Sequence, residues 1–409
     1  MSATSSRNSH RLKVVVTGLI GQHPTLGGIT WHYLQYVLGL ARLGHDVFYF
    51  EDSGEGPYNT DGGATGSDYV AKTCSQNVSH LADTATRFGF EERWAYHCAV
   101  DGQWFGLSDM QRQVVLNDAD LLINVSGTLA DPNSYRTIAR LAYIDTDPVV
   151  THAKIAARGI FRGRVDIHDV HFSFGESIGD EVPQTGHLWR PTRQPILLSE
   201  WDPIESRSDA YTTVMNWTSY EPLVHRGVSL GQKDVEFRKF LDLPSAVAPV
   251  RLELALGGTR HRKWETADSG SADPDPVKLL GGAGWGVLDA DVVCRGADRY
   301  RDFIRSSRAE WSVAKNAYVQ GQPGWFSERS ACYLASGRPV VVQDTGFADV
   351  LPVGQGIVPF TDFSTAVAAV ASVEEDYADH SDAARSIAER FFDSDRVLAR
   401  LVSEAMGDA

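Results

Sequence analysis

The chain has 409 residues, 43% of them apolar and 10% aromatic. That is too long for one core and too apolar for disorder, so two or three domains of roughly 100–200 residues are expected. Acidic residues outnumber basic ones 53 to 38, a formal charge of −15, which repels nucleic acid and anionic lipid overall. No apolar run approaches the roughly 18–20 residues of a membrane span. Residues 1–10 carry no apolar export segment. Cys74, Cys98, Cys294 and Cys332 lack CxxC spacing, which disfavours a zinc knuckle or disulfide framework and fits free thiols in a reducing cytoplasm.

In chain order, 12–18 (LKVVVTG) is a short apolar run ending in glycine, the pattern of a buried parallel strand. A glycine-bearing loop follows at 21–28, then a helix over 29–42 with apolar Leu34, Leu38 and Ala41, closed by Gly44. The run 46–51 (DVFYFE) reads as the next strand and completes a βαβ unit. Residues 53–68 are Gly/Ser/Asp-rich and read as a surface loop. Strands are expected at 120–126, 141–145 and 170–174. The stretch 186–203, with Pro191, Pro195 and Pro203, reads as a linker. A second half opens with strand 211–216 and continues with strands at 250–257, 285–288, 339–343 and 357–360. Helices are expected at 328–336, 363–373, 377–391 and 395–406, and a polar loop at 259–276. No fixed short repeat is present, which argues against a solenoid.

Gly27-Gly28 stands between a strand and a helix, where backbone N–H groups at the helix start can approach an anion; a tight turn is the alternative. There is no GxxxxGK[ST], so P-loop ATP hydrolysis is excluded, and no clean GxGxxG. The densest stretch is 312–346. Lys315 can meet a phosphate as a point charge. Ser327 is a plausible N-cap with Ser330 in the first turn, and a helix starting there offers N–H groups to a diphosphate. Glu328 and Arg329 can reach ribose hydroxyls or phosphate, or merely balance the helix end. Asp344-Thr345-Gly346 forms a polar turn at a strand's carboxyl end, where open α/β sheets bind ligands.

The segment GWFSERSACYLASGRPVVVQDTG resembles the donor-binding helix and strand of GT-B glycosyltransferases. The segment LKVVVTGLIGQHPTLGGITWHYLQYVLGLARLGHDVFYFED is similar to their opening βαβ unit, including the Leu-Gly-His-Asp-Val step. The resemblance is to bacterial nucleotide-sugar-dependent enzymes of the family 1 and family 4 kind. It implies two Rossmann-like α/β domains facing a central cleft: 1–195 for the acceptor and 196–392 for the donor, with the last helix, about 393–409, returning to the first. It also implies that Gly27 and Gly28 face the donor phosphates. Asn216, Trp217 and Thr218, after the first strand of the second half, lie near the donor, with Trp217 in a packing role. Gly257-Gly258 would let a nucleotide approach closely. Arg260, His261, Arg262 and Lys263 follow as a basic cluster or a solvated run. One departure from the pattern stands out. Many retaining members carry two glutamates eight residues apart, and those positions are Gly324 and Cys332 here, with Glu328 between them.

On the acceptor side, Asp145-Thr146-Asp147 ends a strand in the first half. Asp147, or Asp145, can take the proton of an acceptor nucleophile or cap the next helix. The same triplet is the metal-binding DxD of GT-A enzymes, and Asp289-Ala290-Asp291 repeats it. His32, beside the Gly27-Gly28 loop, is a further base candidate, and His152 a weaker one. The resulting expectation is a metal-independent, cytoplasmic Leloir glycosyltransferase with no bound cofactor, an NDP-sugar co-substrate and a small soluble acceptor. Neither a nucleic-acid nor a membrane partner is expected, and a homodimer is left open. The setting expected is natural-product or antibiotic biosynthesis, by O- or S-glycosylation; ergothioneine S-glycosylation of lincosamide pathways is one example. The rivals are a GT-B nucleotide-sugar epimerase and a non-catalytic nucleotide-sugar binding protein. The nucleotide base, the sugar and the stereochemistry are not legible.

Overall fold

The computed structural model describes residues 11–59, 70–157, 159–204, 208–219, 221–257 and 275–407. The first half supplies β1 (Lys13–Thr17), β2 (Asp46–Glu51), β3 (Trp94–His97), β4 (Trp104–Gly106), β5 (Leu121–Val125), β6 (Arg140–Asp145), β7 (Val170–Ser173) and β8 (Trp189–Pro191). They form one sheet in the order β4-β3-β2-β1-β5-β6-β7-β8, parallel throughout except for β3 against β4. The second half supplies β9 (Ala210–Asn216), a hairpin of β10 (Leu223–His225) and β11 (Val228–Leu230), then β12 (Arg251–Gly257), β13 (Gly286–Asp289), β14 (Ala309–Ser312), β15 (Val340–Gln343) and β16 (Ile357–Phe360). Apart from the hairpin, these form a wholly parallel sheet, β13-β12-β9-β14-β15-β16.

Parallel strands are covered on both faces, so they read as unbroken apolar runs rather than alternations. Val14, Val15 and Val16 are fully buried, as are Leu121, Leu122 and Ile123, and Val340 and Val341. Each sheet has a point where successive connections run to opposite sides, between β1 and β5 and between β9 and β14. The crevice outside the carboxyl ends of strands at such a point is where open α/β sheets take ligands.

Several elements differ from the sequence expectation for local reasons. The proline-rich stretch read as a linker contains β8, which pairs with β7 through His171 and Trp189. It is an edge strand, where Pro191 costs no ladder bond. β14 escapes a hydrophobic-run search because Glu310 and Ser312 interrupt it, yet both are buried. The antiparallel pair β3–β4 and the helix Ser75–Phe88 were not expected either. Residues 60–68 of the first polar loop and 259–274 of the second lie outside the described residues.

The halves meet through backbone. Leu26 bridges Arg295, the Gly296 amide donates to the Thr25 carbonyl at 3.0 Å, and the fully buried Trp31 donates to the Ala297 carbonyl at 2.8 Å. A Cβ on Gly27 would sit 2.1 Å from the Gly296 carbonyl oxygen, so the glycine is required by contact. The helix Ser394–Met406 lies on the first sheet's layer: Leu398 fills the space a Cβ on Gly39 would take, and Arg140 donates to the Ala405 carbonyl at 3.1 Å.

Gly27→Ala must push two backbones apart, and overpacking of this kind costs about 1–3 kcal/mol. Gly163→Ala, where an added Cβ meets nothing within 4 Å, should be neutral or stabilising by about 0.4–1 kcal/mol through the unfolded chain. Urea titration of both variants beside the parent checks the contrast. Equal stability of the two would remove the backbone contact as a constraint.

Candidate functional site

The two switch points face one another across a cavity of about 560 Å³. From the first half it is lined by the start of the helix Gly27–Arg42, by Ser126 after β5 and by Thr146 and Asp147 after β6. From the second it is lined by Asn216 after β9, Gly257 after β12, Lys315 after β14 and the start of the helix Glu328–Ala335. Gly27, Gly28, His32, Asp147, Asn216, Gly257, Lys315, Ser327, Glu328 and Arg329 are therefore brought together. Gly258 and residues 260–263 lie outside the described residues.

Asp147 and Lys315 meet directly. The ammonium lies 2.9 Å from Asp147 Oδ2, and the Tyr318 hydroxyl donates to Oδ1. Two residues expected on opposite sides of the chemistry thus form one ion pair across the cleft. Asp145 does not line the cavity. It is buried beneath the turn, where its Oδ1 accepts the Asp147 amide at 3.0 Å and its Oδ2 accepts Ser173 Oγ at 2.9 Å. It shapes the turn that presents Asp147, and the triplet does not aim two carboxylates at one ion. Asp289 is likewise spent capping its own short helix, accepting from the Asp291 amide. His152 is buried against Trp189, 3.5 Å from Asp145, and also lies off the cavity.

His32 lines the cavity beside Ser126, 3.3 Å from its Oγ, which in turn lies 2.8 Å from Thr146 Oγ1. Burial lowers the His32 pKa to about 4, so its ring is neutral at pH 7. Ser126 itself holds φ 61°, a left-handed conformation rare for a residue with a Cβ, and such strain clusters at functional sites.

Trp217, expected near the donor in a packing role, packs in the core against Phe237, 1% exposed, and does not line the cavity. Three further expectations are corrected. Thr218 is half-buried and not on the cavity wall. Ser330 is buried behind the helix. Asp344, Thr345 and Gly346 form a turn that supports the Gly324-Trp325 loop from behind. Thr345 Oγ1 donates to the Trp325 carbonyl at 2.5 Å, the Gly324 amide donates to the Thr345 carbonyl at 2.8 Å, and Asp344 accepts the Gly346 amide. Ser327 stands at the N-cap position, but its side chain makes no capping hydrogen bond.

The sequence reading missed Lys233, Gln35 and the ring residues of the wall. Lys233 opens the short helix Lys233–Phe237, which is fixed by its own Glu236. That fully buried carboxylate accepts from Asn316, Gln343 and Lys239 at 2.7–2.9 Å. Among the described residues no carboxylate comes within ion-pair reach of Lys233. Burial first, and then the charge of Arg329, hold its pKa well below the usual lysine value. Arg329 is clamped to Glu310 at 2.7 Å, to the Val214 carbonyl and to Ser312 Oγ at 2.8 Å. Lys233, Lys315 and Arg329 thus place three basic side chains on one wall of an acidic protein. The only advance signal for Gln35 is a polar side chain on the apolar face of its helix. It is 1% exposed and donates to Glu328 Oε1 at 2.8 Å across the cleft.

Glu328 also accepts from the Cys332 thiol at 3.3 Å. Burial raises its pKa to about 7, with the Cys332 thiol, the Arg329 charge and Gln35 pulling the other way. Among the described residues, the His/Cys/Asp/Glu group compact enough to hold a cation is Cys74, Cys98 and Asp101, away from this cavity. No helix among the described residues is long and apolar enough to cross a membrane.

Facing parallel sheets with a cleft between their carboxyl ends define the GT-B fold, and solved structures of glycosyltransferases share it. AviGT4, a glycosyltransferase involved in avilamycin A biosynthesis, aligns at a TM-score of 0.52 and 16% identity over 97% of this chain and 99% of its own. An alpha-glucosyltransferase in complex with UDP and a 13-mer DNA aligns at 0.57 and 11% over 97% and 99%. HepE from Anabaena, in complex with UDP and glucose, aligns at 0.54 and 13% over 96% and 100%. At these identities the likeness is one of fold. No family model and no curated protein matches the chain.

The raised pKa of Glu328 has a sign for stability. A carboxyl near 4.5 when unfolded and about 7 when folded binds more protons in the folded state between those values. Stability is therefore lost as pH rises from about 4.5 to 7, by up to about 3 kcal/mol. Glu328→Gln should match the parent near pH 4.5 and exceed it at pH 8. Glu51, also raised to about 7 by burial, keeps its own slope in both proteins. Urea midpoints at the two pH values decide it, and a variant weaker than the parent at pH 8 contradicts the burial account.

Proposed function

We propose that the protein is a Leloir glycosyltransferase that moves a sugar from a nucleoside-diphosphate donor to a small soluble acceptor. The observation that carries this reading is the wall of Lys233, Lys315 and Arg329 at the switch point of the second sheet, where Lys233 has no carboxylate counter-charge within ion-pair reach among the described residues. A diphosphate supplies that counter-charge. The UDP complexes of two proteins of the same fold support the same assignment. In the reaction, the acceptor oxygen bonds to the sugar anomeric carbon as the bond from that carbon to the diphosphate breaks, and the electron pair leaves with the diphosphate. The cations and the first-turn amides of the Gly27 and Glu328 helices stabilise the charge that develops there. Lys315 is drawn from Asp147 toward the diphosphate, and Asp147 then takes the acceptor proton. In this reading side chains and helix ends perform the work of a divalent cation, the enzyme is cytoplasmic, and activity persists in excess EDTA. The likeness to AviGT4 supports a setting in natural-product glycosylation.

Calorimetry with UDP and the other nucleoside diphosphates tests the donor half. Lys233→Ala should weaken the preferred nucleotide by about 1.5–3 kcal/mol, the scale of a hydrogen bond to a charged group. Asp147→Asn should retain nucleotide affinity while lowering kcat by about 10²–10⁴-fold. A parent protein that binds no nucleoside diphosphate overturns the proposal. Loss of activity in EDTA that Mn²⁺ restores overturns the metal-free part of it.

A further inference from the structure

We propose that the acceptor is an uncharged ring compound bearing a free hydroxyl, seated flat against aromatic side chains of the first-half wall. The inference rests on the division of donor and acceptor between the halves made above. The observation behind it is an asymmetry of charge. Among the described residues, the lysines and arginines lining the cavity, Lys233, Arg295, Lys315 and Arg329, all belong to the second half, as do Glu328 and Asp291. The first half contributes one carboxylate, Asp147, which is neutralised by Lys315. It also contributes two histidines, His23 and His32, and burial lowers each pKa to about 4, so both are neutral at pH 7. Among the described residues the first-half wall contributes no cation to an anionic acceptor, and Lys315, which reaches it, is assigned to the leaving diphosphate; burying a charge without a partner is strongly unfavourable.

What the wall offers instead is ring faces and hydroxyls. His23 and Tyr58 stack at 4.2 Å with 23° between their planes. His32 and Phe174 meet edge to face deeper in. Trp325 completes the enclosure from the other chain half. Its indole N–H donates to the Thr146 carbonyl at 3.2 Å, and its backbone bridges Gly175, so it is fastened to the acceptor side. Rings at these positions favour a flat partner, either an aromatic ring by stacking or a sugar by its C–H face. Ser126 and Thr146 supply hydroxyls beside Asp147, at the place where a hydroxyl nucleophile has to point.

The test uses the full chain saturated with its preferred nucleoside diphosphate, with calorimetric titration of three probes. Methyl 4-hydroxybenzoate and 4-hydroxybenzoate share a phenol ring and differ in charge; phenyl β-glucoside adds a neutral sugar. The ester should bind at least about tenfold more tightly than the carboxylate at pH 7.5. The glucoside matching or exceeding the ester would identify a sugar platform, and binding well below it an aromatic one, both within the proposed class. Tyr58→Ala should weaken the ester severalfold and leave nucleotide affinity unchanged. Tyr58→Arg, which adds the missing cation, should bring the carboxylate up toward the ester. A carboxylate that binds the parent as tightly as the ester overturns the inference. So does a nucleotide-loaded protein that binds none of the neutral rings. Failure of nucleotide to bind in the first place would instead overturn the proposed function.

Discussion

Everything at the cavity depends on one backbone approach, the packing of Gly27 against Gly296. A Cβ at Gly27 would fall inside the van der Waals radius of a carbonyl oxygen, and one at Gly28 would touch the Tyr300 ring at 3.0 Å. Because both side chains are absent, the start of the first long helix lies against the start of the helix Gly296–Ser306, and Trp31 is sealed between the halves. The contact fixes how far apart the carboxyl ends of the two sheets stand. The glycines that resemble a phosphate-facing loop are therefore first a packing solution, and their exposed helix amides are available to a ligand as a result.

The second organising feature is a pair of hidden anions beneath the donor wall. Glu310, in the middle of β14, holds Arg329; Glu236, in the short helix of Lys233, binds the Asn316 next to Lys315 and Gln343 of β15. Both carboxylates are fully buried. Buried charges without partners are strongly destabilising, so the arrangement stands only as a set. It lets an acidic chain bring Lys233, Lys315 and Arg329 to one concavity, where low-dielectric walls strengthen their interaction with an anion.

The fold was legible where periodicity was strong. The opening βαβ unit, the donor helix and the strand after it lie within one or two residues of their expected bounds, because a buried parallel strand or an amphipathic helix leaves a local signature. β14 and β8 were not legible, since a charged residue inside a central strand and a proline on an edge strand both contradict the local pattern until their partners are known. At the site, residue types after a strand, in a polar loop and in the first turn of a helix were enough to suggest Asp147, Lys315 and Glu328. Spacing could not tell Asp145 from Asp147, which differ only in which one points under the turn. Lys233 carries no local mark, and Gln35 shows only as a polar residue on an apolar helix face, because its partner Glu328 is far along the chain. The departure from the two-glutamate pattern has a steric explanation at Gly324. Its φ is 72°, and a Cβ there would lie 2.9 Å from the Ser177 amide nitrogen, so a glutamate could not occupy it without moving the loop. Cys332, at the second position, donates its thiol to Glu328 instead.

The chain crosses between the halves twice, near Ile196 and near Asp393, and the two crossings are tied together. The Ile196 amide donates to the Phe392 carbonyl at 2.7 Å, and the Ser394 amide donates to the Ile196 carbonyl at 2.9 Å. A single strand would act as a swivel, free to twist as well as bend. Two strands laced side by side form a flat strap, which bends across its width and resists torsion. Twisting one half against the other would have to break one of these two hydrogen bonds, whereas bending across the strap keeps both. The Asp147–Lys315 and Gln35–Glu328 contacts tie the two halves together again through side chains alone, whereas the strap joins them through backbone.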